Sequence, residues 1–260
     1  NYKTYLHKYI QGINAMSITE KILEGKYLFL KDENQYSQES FAISKEDSVT
    51  GNYLYSSELL SRVPSGEFLK INVQYLTTGS FHPLDVKITR SLGNNSSTEH
   101  YRVDQQDKQV YYTFTTPTET HNFDKNITGR FHISTPAFAT STLMTQMKKM
   151  NATQTTSYNI LTTDNIWDYN GHFIESQIAL EMKSISAVDI TVNDKELQAV
   201  HCLVTDNPIS EGKITESSAA NFYLSKHFNL PYLANFPGNI EVKIDRLKIL
   251  ENDYKNMFKS

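Results

Sequence analysis

The 260-residue sequence has one cysteine, no long basic run and no long apolar run, and each absence excludes a class of protein. Cys202 has no second cysteine with which to form an internal disulfide. No basic run exceeds Lys148-Lys149, and the formal net charge is −4, so nucleic acid is not an expected partner. A membrane-spanning helix needs roughly 20 consecutive apolar residues. No stretch approaches that length, so we expect no transmembrane segment.

The sequence also lacks every familiar catalytic or metal-binding motif. There is no GxSxG, GxGxxG or Walker pattern, and the eight histidines form no HExxH or other close pair with ligand spacing. We therefore expect no metal and no cofactor. Cys202 lies in the apolar run 200–204 and is interpreted as a buried, inert thiol. His201 is its neighbour, but adjacent side chains on a strand point to opposite faces, which is unsuitable for Cys/His catalysis.

What the chain does have is enough apolar and aromatic material for a core. Residues of the apolar class make up 38% of the sequence, with 16 Tyr and 13 Phe, and charged residues make up 21%. This balance is typical of a folded protein rather than a disordered one. Since all-β domains commonly reach this length, and no repeat or low-complexity linker interrupts the chain, we expect residues 1–260 to form a single domain.

The first sixteen residues have the spacing of an amphipathic helix. Tyr2, Tyr5, Tyr9, Ile13 and Met16 recur at three- and four-residue intervals on one face. We predict a helix over 1–16 that packs on the body of the fold. A membrane-surface anchor is the alternative, although the opposite face lacks a dense Lys/Arg stripe.

After this segment the helical period gives way to short β-rich runs. The predicted strands cover 25–31, 40–49, 52–60, 67–76, 84–92, 99–104, 109–115, 129–134, 155–162, 172–182, 187–192, 196–204, 221–226 and 240–250. Within 67–76 apolar and polar residues alternate cleanly, as in a half-buried antiparallel strand. Asn193-Asp194 is a tight hairpin signal. In the last strand the alternation slips across Arg246, as a β-bulge or an edge exit produces.

One helix interrupts the predicted strands. Ser134-Thr135-Pro136 can begin a helix, and apolar residues then recur at helical spacing through Met150, which predicts a helix over 136–150. Its methionines are core residues by default. A Met-lined helix over a curved sheet would also serve as a flexible lid on an apolar cavity. Trp167, in an Asn/Asp-rich turn, is either a hydrophobic plug or part of a ligand platform.

The segment 187–250 resembles a known family. It has a hairpin with the polar tip Asn193-Asp194, an aromatic strand around Phe222 that runs into Leu230-Pro231, and a closing strand at 241–244. This order resembles the exported bacterial DUF3108 proteins, which in turn look like the open half-barrels of the lipoprotein carrier LolA. The family tends to have Trp in its aromatic strand, where this chain has Tyr223.

The resemblance implies a mainly β fold: a single curved antiparallel sheet forming an open or half barrel, with the N-terminal helix and the inserted helix added. It also implies a concave face, closed by a helix, that accepts an acyl chain or another apolar ligand. A strongly bent sheet cannot fill its own concavity, and each buried methylene contributes about 0.8 kcal/mol, so such a site needs no polar motif.

The leading hypothesis is an exported, periplasmic bacterial protein, its signal peptide removed before Asn1, that binds or carries a lipid, a lipoprotein acyl chain or another hydrophobic small molecule. The residues expected to line the ligand site are Phe138, Leu143, Met144, Met147, Trp167 and Phe173. A structural or interaction module of the cell envelope, with a protein partner, is the second hypothesis. The third is an enzyme using isolated groups such as His132 and Glu175, for which solvated charges on a sheet face are the simpler interpretation.

Overall fold

The computed structural model describes residues 18–46, 51–147, 155–184, 186–206, 214, 219–226 and 230–250. The helix predicted over 1–16 lies outside these ranges, as does Met150, the last residue of the predicted inserted helix.

The described residues form sixteen strands that belong to one sheet. The strands are β1 (Ile18–Lys31), β2 (Asn34–Glu46), β3 (Tyr53–Arg62), β4 (Phe68–Thr77), β5 (Pro83–Leu92), β6 (Asn95–Asp104), β7 (Gln109–Thr115), β8 (Thr120–Asn126), β9 (His132–Ile133), β10 (Thr156–Thr162), β11 (Ile174–Met182), β12 (Val188–Val192), β13 (Lys195–Thr205), β14 (Ala220–Ser225), β15 (Pro231–Phe236) and β16 (Ile240–Ile249).

The strand order is β8-β7-β6-β5-β4-β3-β2-β1-β16-β15-β14-β13-β11-β10-β9, with β12 paired to β13. Strands β1 to β8 form a meander of consecutive antiparallel pairs, and β16 joins β1 to the C-terminal half. The pair β9/β10 is parallel. The prediction of a mainly antiparallel β fold is therefore confirmed.

The sheet is curved without closing into a barrel. Lys125 of β8, at one end of the strand order, pairs with Glu175 of β11, near the other end. Tyr75 of β4 contacts His132 of β9 across the interior. Among the described strands, no backbone ladder joins β8 to β9, so side chains rather than strand pairing bring the two ends together.

Two local sequence signals are confirmed by the backbone. Asn193 and Asp194 both have positive φ, 49° and 62°, and connect β12 to β13 as a type I′ turn does. In the β1/β16 pair, Lys26 lies opposite Arg246 whereas Tyr27 lies opposite Ile244. Asp245 is therefore the extra residue of a β-bulge, at the position where the alternation slips.

Two strands were not predicted. Strand β8 has half-buried residues alternating with exposed ones and contains a single aromatic residue, Phe123, so its sequence carries little hydrophobic signal. Strand β15 begins with Pro231, which is tolerated at the first residue of a strand. Strand β1 also begins at Ile18, earlier than the predicted residue 25.

The predicted helix over 136–150 is wrong in type and length within the described residues. Two short 3₁₀ helices occupy the segment, Phe138–Thr140 and Leu143–Met147. The hydroxyls of Thr140, Ser141 and Thr145 each donate to the carbonyl three residues earlier, at 3.0, 2.7 and 2.7 Å. Such hydroxyls compete for main-chain carbonyls, which favours tight turns over a continuous α-helix.

The main core is a large contiguous cluster on the inner face of the sheet that includes residues of this segment, and Ala179, Leu203, Ile214 and Ala219 form a second, small cluster. Its largest fully buried side chains include Tyr27, Tyr75, Tyr101, Tyr112 and Phe114. Ala137, Phe138, Leu143 and Met144 belong to the same cluster. The sheet's own side chains therefore do not fill the interior by themselves, and the segment after β9 completes it.

Candidate functional site

Residues 138–147, here called the covering segment, lie against the inner face of the sheet. The ring centroid of Phe138 is 4.9 Å from that of Tyr27, 6.1 Å from Phe29 and 5.8 Å from Phe222. These partners lie on β1 and β14, which are separated by β16 and β15 in the sheet. One aromatic side chain thus spans the central strands of the concavity.

The carboxylate of Glu39 holds the beginning of the covering segment. Glu39 lies on β2 and is fully buried. The N–H of Phe138 donates to Oε2 at 2.6 Å, and the N–H of Ala139 donates to Oε1 at 3.2 Å. The Ser57 hydroxyl on β3 donates to Oε1 at 2.7 Å. These bonds satisfy main-chain donors that a short 3₁₀ helix cannot satisfy internally.

Burial raises the pKa of Glu39 to about 7, from an ordinary value of 4.5. The hydrogen bonds from Ser57, Ala139 and Phe138 favour the charged form and oppose this shift, but desolvation is the larger effect. Glu39 thus changes protonation near neutral pH. Its charge also adds to the burial that raises the pKa of the neighbouring Tyr27.

A second buried polar contact joins the strand before the covering segment to the sheet. The main-chain N–H of Ile133 donates to the Tyr75 hydroxyl at 3.2 Å, and that hydroxyl lies 3.0 Å from His132 Nδ1. The Tyr75 hydroxyl keeps its own proton available for Nδ1, which accepts it when the neutral ring carries its proton on Nε2. Burial lowers the pKa of His132 to about 3, so the ring is neutral at physiological pH.

A third buried network surrounds Glu99 on β6. The hydroxyls of Tyr101, Tyr112 and Thr163 all donate to Oε1, the first two at 2.9 and 3.0 Å. Arg90 Nη1 on β5 lies 2.6 Å from the other oxygen, Oε2, as an ion-pair contact without hydrogen-bond geometry. Because Thr163 follows β10, this network links the N-terminal meander to the C-terminal half.

An aromatic cluster closes the gap between the ends of the sheet. Phe173 lies between Tyr112 and Phe123, with ring centroids 5.4 and 4.6 Å away. The His121 and Tyr169 rings stack at 4.1 Å. The loop between β10 and β11 therefore packs on β7 and β8, at the edge of the sheet where no backbone ladder joins β8 to β9 in the described residues.

The six residues expected to bind ligand fall into two groups. Phe138, Leu143 and Met144 are buried in the covering segment. Trp167 and Phe173 are half-buried in the loop between β10 and β11. The side chain of Met147 lies outside the described residues. Among the described rings, no contact joins Phe138 to Trp167 or Phe173, so the two groups do not form one aromatic patch.

Sequence reasoning did not identify Glu39, Glu99 or Arg90 as site residues. The alternation of the strands could have indicated two of them. Glu39 has the same inward phase on β2 as Phe41 and Ile43, and Glu99 has the same inward phase on β6 as Tyr101 and Val103. Cys202 is buried as expected, and burial raises the pKa of its thiol to about 12. His201 contacts Asn221 instead, with Nε2 2.9 Å from Oδ1.

The structure gives His132 and Glu175 separate partners. His132 Nδ1 contacts Tyr75, and Glu175 is exposed and paired with Lys125. The acid/base pair considered for an enzyme is therefore not formed. In the described ranges, no group of three or more His, Cys, Asp or Glu side chains could hold a metal ion. None of the helices described there is long and apolar enough to cross a membrane.

Two open clefts lie outside the core. One, of about 660 Å³, lies on the outer face of β1–β4 and β16 and is bounded by Lys195 of the β12–β13 hairpin. The other, of about 360 Å³, lies where β8 approaches β10 and β11, next to the Lys125–Glu175 pair. Both clefts have substantial polar surface, in contrast to the core.

No family model and no curated protein matches the chain. Two solved structures match the chain. One is a β-barrel-like protein of the domain of unknown function DUF1849 from Brucella abortus, with a TM-score of 0.52 and 8% identity over 89% of this chain and 99% of that chain. The other is a DUF1089 family protein from Pseudomonas aeruginosa, with a TM-score of 0.46 and 12% identity over 79% of this chain and 91% of that chain. The Brucella protein is similar in fold alone.

Proposed function

We propose that this protein is an exported, periplasmic bacterial protein that binds or carries a hydrophobic ligand, such as a lipid or a lipoprotein acyl chain, inside its curved sheet. The ligand takes the space that the covering segment fills and contacts the surface of Tyr27, Phe29 and Phe222 beneath it. Of the six residues expected to bind ligand, Phe138, Leu143, Met144 and Met147 belong to the segment that the ligand displaces, and Trp167 and Phe173 lie in the loop between β10 and β11. The DUF3108 and LolA resemblance stays a prediction that agrees with this function.

One observation carries the proposal: the concavity is completed by the covering segment and not by the strands. The segment's first turn is attached to the sheet through hydrogen bonds to the Glu39 side chain. A strand in a sheet is held by a whole ladder, whereas the main-chain N–H groups of Phe138 and Ala139 in this turn both bond to one carboxylate. Its displacement would leave an apolar surface formed by Tyr27, Phe29 and Phe222.

A fluorescent fatty acid tests the proposal directly. The delipidated protein is titrated with the probe, and an unlabelled fatty acid is then added in competition. We expect saturable binding that the competitor reverses. Native mass spectrometry of protein purified from its own host should show a bound apolar mass.

Two alanine variants separate interior binding from surface adsorption. Phe138→Ala removes the ring that competes for the concavity, so its affinity for the probe should increase. Phe68→Ala removes the same group from a position that is 63% exposed, and its affinity should equal that of the wild type. If neither the wild type nor Phe138→Ala takes up the probe, the carrier function is wrong, and an envelope interaction module becomes the better hypothesis.

A further inference from the structure

The outer cleft contains more cationic than acidic side chains, although the chain as a whole is acidic. Its cationic residues are Lys21, Lys26, Lys195, Arg246 and Lys248, and its acidic residues are Glu24 and Glu58. This is a local excess of three positive charges in a chain of net charge −4. The cleft opens on the outer face of the sheet, and its lining also includes the buried residues Phe41, Ser57 and Val73.

Both acidic residues of the cleft already have cationic partners. Glu24 lies 3.1 Å from Lys21 Nζ and 3.4 Å from Lys248 Nζ. Glu58 lies 2.6 Å from Lys70 Nζ, on the neighbouring strand. Hydrogen bonds from the two lysines lower the pKa of Glu24, so it stays charged and occupied by them.

Three cations of the cleft are left without a counter-ion. Across the described ranges, no carboxylate lies within ion-pair distance of Lys26, Lys195 or Arg246. Lys26 and Arg246 are directly opposite each other in the β1/β16 ladder, next to the bulge at Asp245. Like charges directly opposite in an antiparallel pair are destabilising. An anion bound between them would convert this repulsion into attraction.

The hairpin that carries the third cation, Lys195, is fixed beside the cleft by a side-chain hydrogen bond. The Asn193 side-chain amide at the tip of the β12–β13 hairpin donates to the Ile244 carbonyl at 2.8 Å. This bond fixes the hairpin against β16, and Lys195 follows two residues later at the cleft rim. The cleft surface between the cations also offers polar groups, those of Ser40, Ser56 and Asn72.

We propose that this cleft binds the phosphoryl group of an anionic ligand, held between Lys26 and Arg246 with Lys195 closing from the hairpin. A phosphate monoester carries about −1.5 to −2 charges at pH 7, which matches the unpaired cations. Arg and Lys are the side chains that bind phosphate oxygens, and Ser and Asn add neutral donors. The volume of about 660 Å³ suits a small molecule rather than a single ion. The phosphoryl group belongs either to a soluble compound or to a lipid headgroup.

The experiment measures pyrophosphate binding by isothermal titration calorimetry at about 0.1 M salt, where exposed charges are partly screened. The test variant is the double substitution Lys26→Gln and Arg246→Gln. The control is Lys87→Gln and Arg102→Gln, which removes the same charge from exposed positions on β5 and β6, outside the cleft. We expect at least tenfold weaker binding in the test variant and unchanged binding in the control.

A stability measurement excludes misfolding as the cause of lost binding. Without anion, the test variant should melt at the same temperature as the wild type or higher, because the Lys26–Arg246 repulsion is removed. Added pyrophosphate should raise the melting temperature of the wild type and of the control only. An equal effect on all three proteins overturns the proposal.

Vesicles distinguish the two sources of the phosphoryl group. Co-sedimentation with phosphatidic acid vesicles but not with phosphatidylcholine vesicles, lost in the test variant, identifies a lipid headgroup. Pyrophosphate binding without vesicle binding identifies a soluble ligand. If the wild type binds neither pyrophosphate nor phosphatidic acid vesicles, the cleft is not a phosphoryl site. The fatty-acid experiment on the interior is unaffected by any of these outcomes.

Discussion

The Glu39 carboxylate accepts a 2.6 Å hydrogen bond from the main-chain N–H of Phe138, 99 residues later in the chain. The bond joins the second strand of the sheet to the segment that fills its concavity. It also makes a buried group with a pKa near 7 the attachment point of that segment. Stability and segment opening should therefore both depend on pH.

The first prediction concerns the free energy of unfolding of the wild type minus that of Glu39→Gln. The folded protein binds a proton at Glu39 up to about pH 7, whereas the unfolded chain releases it near 4.5. The stabilising contribution is therefore fully present below pH 4.5 and is lost as pH rises through 7. We expect the difference to fall by about 1.4 kcal/mol per pH unit, or about 3 kcal/mol in total.

His132 should contribute in the opposite direction over part of this range. Its pKa is lowered from 6.5 to about 3, so the unfolded chain binds the extra proton and stability rises with pH up to 6.5. In the wild type the two contributions to the pH dependence of stability therefore partly cancel. Each becomes visible in the variant that lacks the other titrating group. His132→Asn keeps an acceptor for the Tyr75 hydroxyl and should leave the Glu39 slope visible. Urea unfolding at half-unit pH steps measures all three proteins, and parallel curves would contradict both assignments.

The second prediction applies the same titration to ligand uptake and rests on the proposed function. If water replaces the Phe138 and Ala139 donors at Glu39 when the covering segment is displaced, the pKa of Glu39 returns toward 4.5. Displacement is therefore easier as pH rises. The affinity for a fluorescent alcohol or another uncharged apolar probe should increase between pH 5 and 7 in the wild type, by less than tenfold per unit, and stay constant in Glu39→Gln. An identical pH profile in both proteins would refute the role of Glu39.

Some of this structure could be predicted from the sequence, and the failures have physical causes. Asn193-Asp194 and the slip at Arg246 were readable because turn chemistry and side-chain period are local properties. Glu39 was missed because the predicted strand began at Ser40. A charged residue next to an apolar run is usually interpreted as lying outside the strand, although Glu39 lies within it. Strand β8 was missed because its pairing with β7, and not its own apolar residues, makes it a strand.

The covering segment shows a different limit. The apolar spacing from Phe138 to Met147 fits a helix, but the intervening Thr and Ser hydroxyls favour tight turns. The predicted ligand residues within it are buried in the core, a fact that depends on long-range contacts to β1 and β14. The curvature that gives the segment a place to pack has no local signature in the sequence.

The third prediction concerns the buried Arg90–Glu99 ion pair, whose side chains are 10% and 3% exposed. Glu99→Gln retains an oxygen for the three hydroxyls but leaves the Arg90 charge buried without a counter-ion. It should lower the free energy of unfolding by about 3–5 kcal/mol. Adding Arg90→Met removes that charge and should recover much of the loss.

An exposed ion pair is the control for this comparison. Lys70 and Glu58 are each 43% exposed, so Glu58→Gln should change stability by less than about 1 kcal/mol. Chemical denaturation of the wild type and of these three variants measures the differences. If Glu99→Gln and Glu58→Gln destabilise the protein equally, burial does not control the energetics of the Glu99 network.

The last prediction concerns Gly25 on β1, where the sheet admits no side chain. A Cβ there would lie 2.5 Å from the ring of Phe41 and 2.8 Å from the carbonyl oxygen of Arg246. The Phe41 ring is itself stacked on Tyr27, with centroids 4.9 Å apart, so it has little freedom to withdraw. Gly25→Ala should therefore cost about 1–3 kcal/mol by overpacking.

A double-mutant cycle separates the ring from the carbonyl as the source of this cost. Phe41→Leu removes the ring edge that meets the new methyl group, while the Arg246 carbonyl stays in place. The double variant should be more stable than the sum of the single effects predicts, by about 0.5–3 kcal/mol. Strictly additive effects would assign the strain to the β1/β16 backbone. Phosphoryl binding by Gly25→Ala should then weaken as well, because the same backbone carries Lys26 and Arg246 at the floor of the outer cleft.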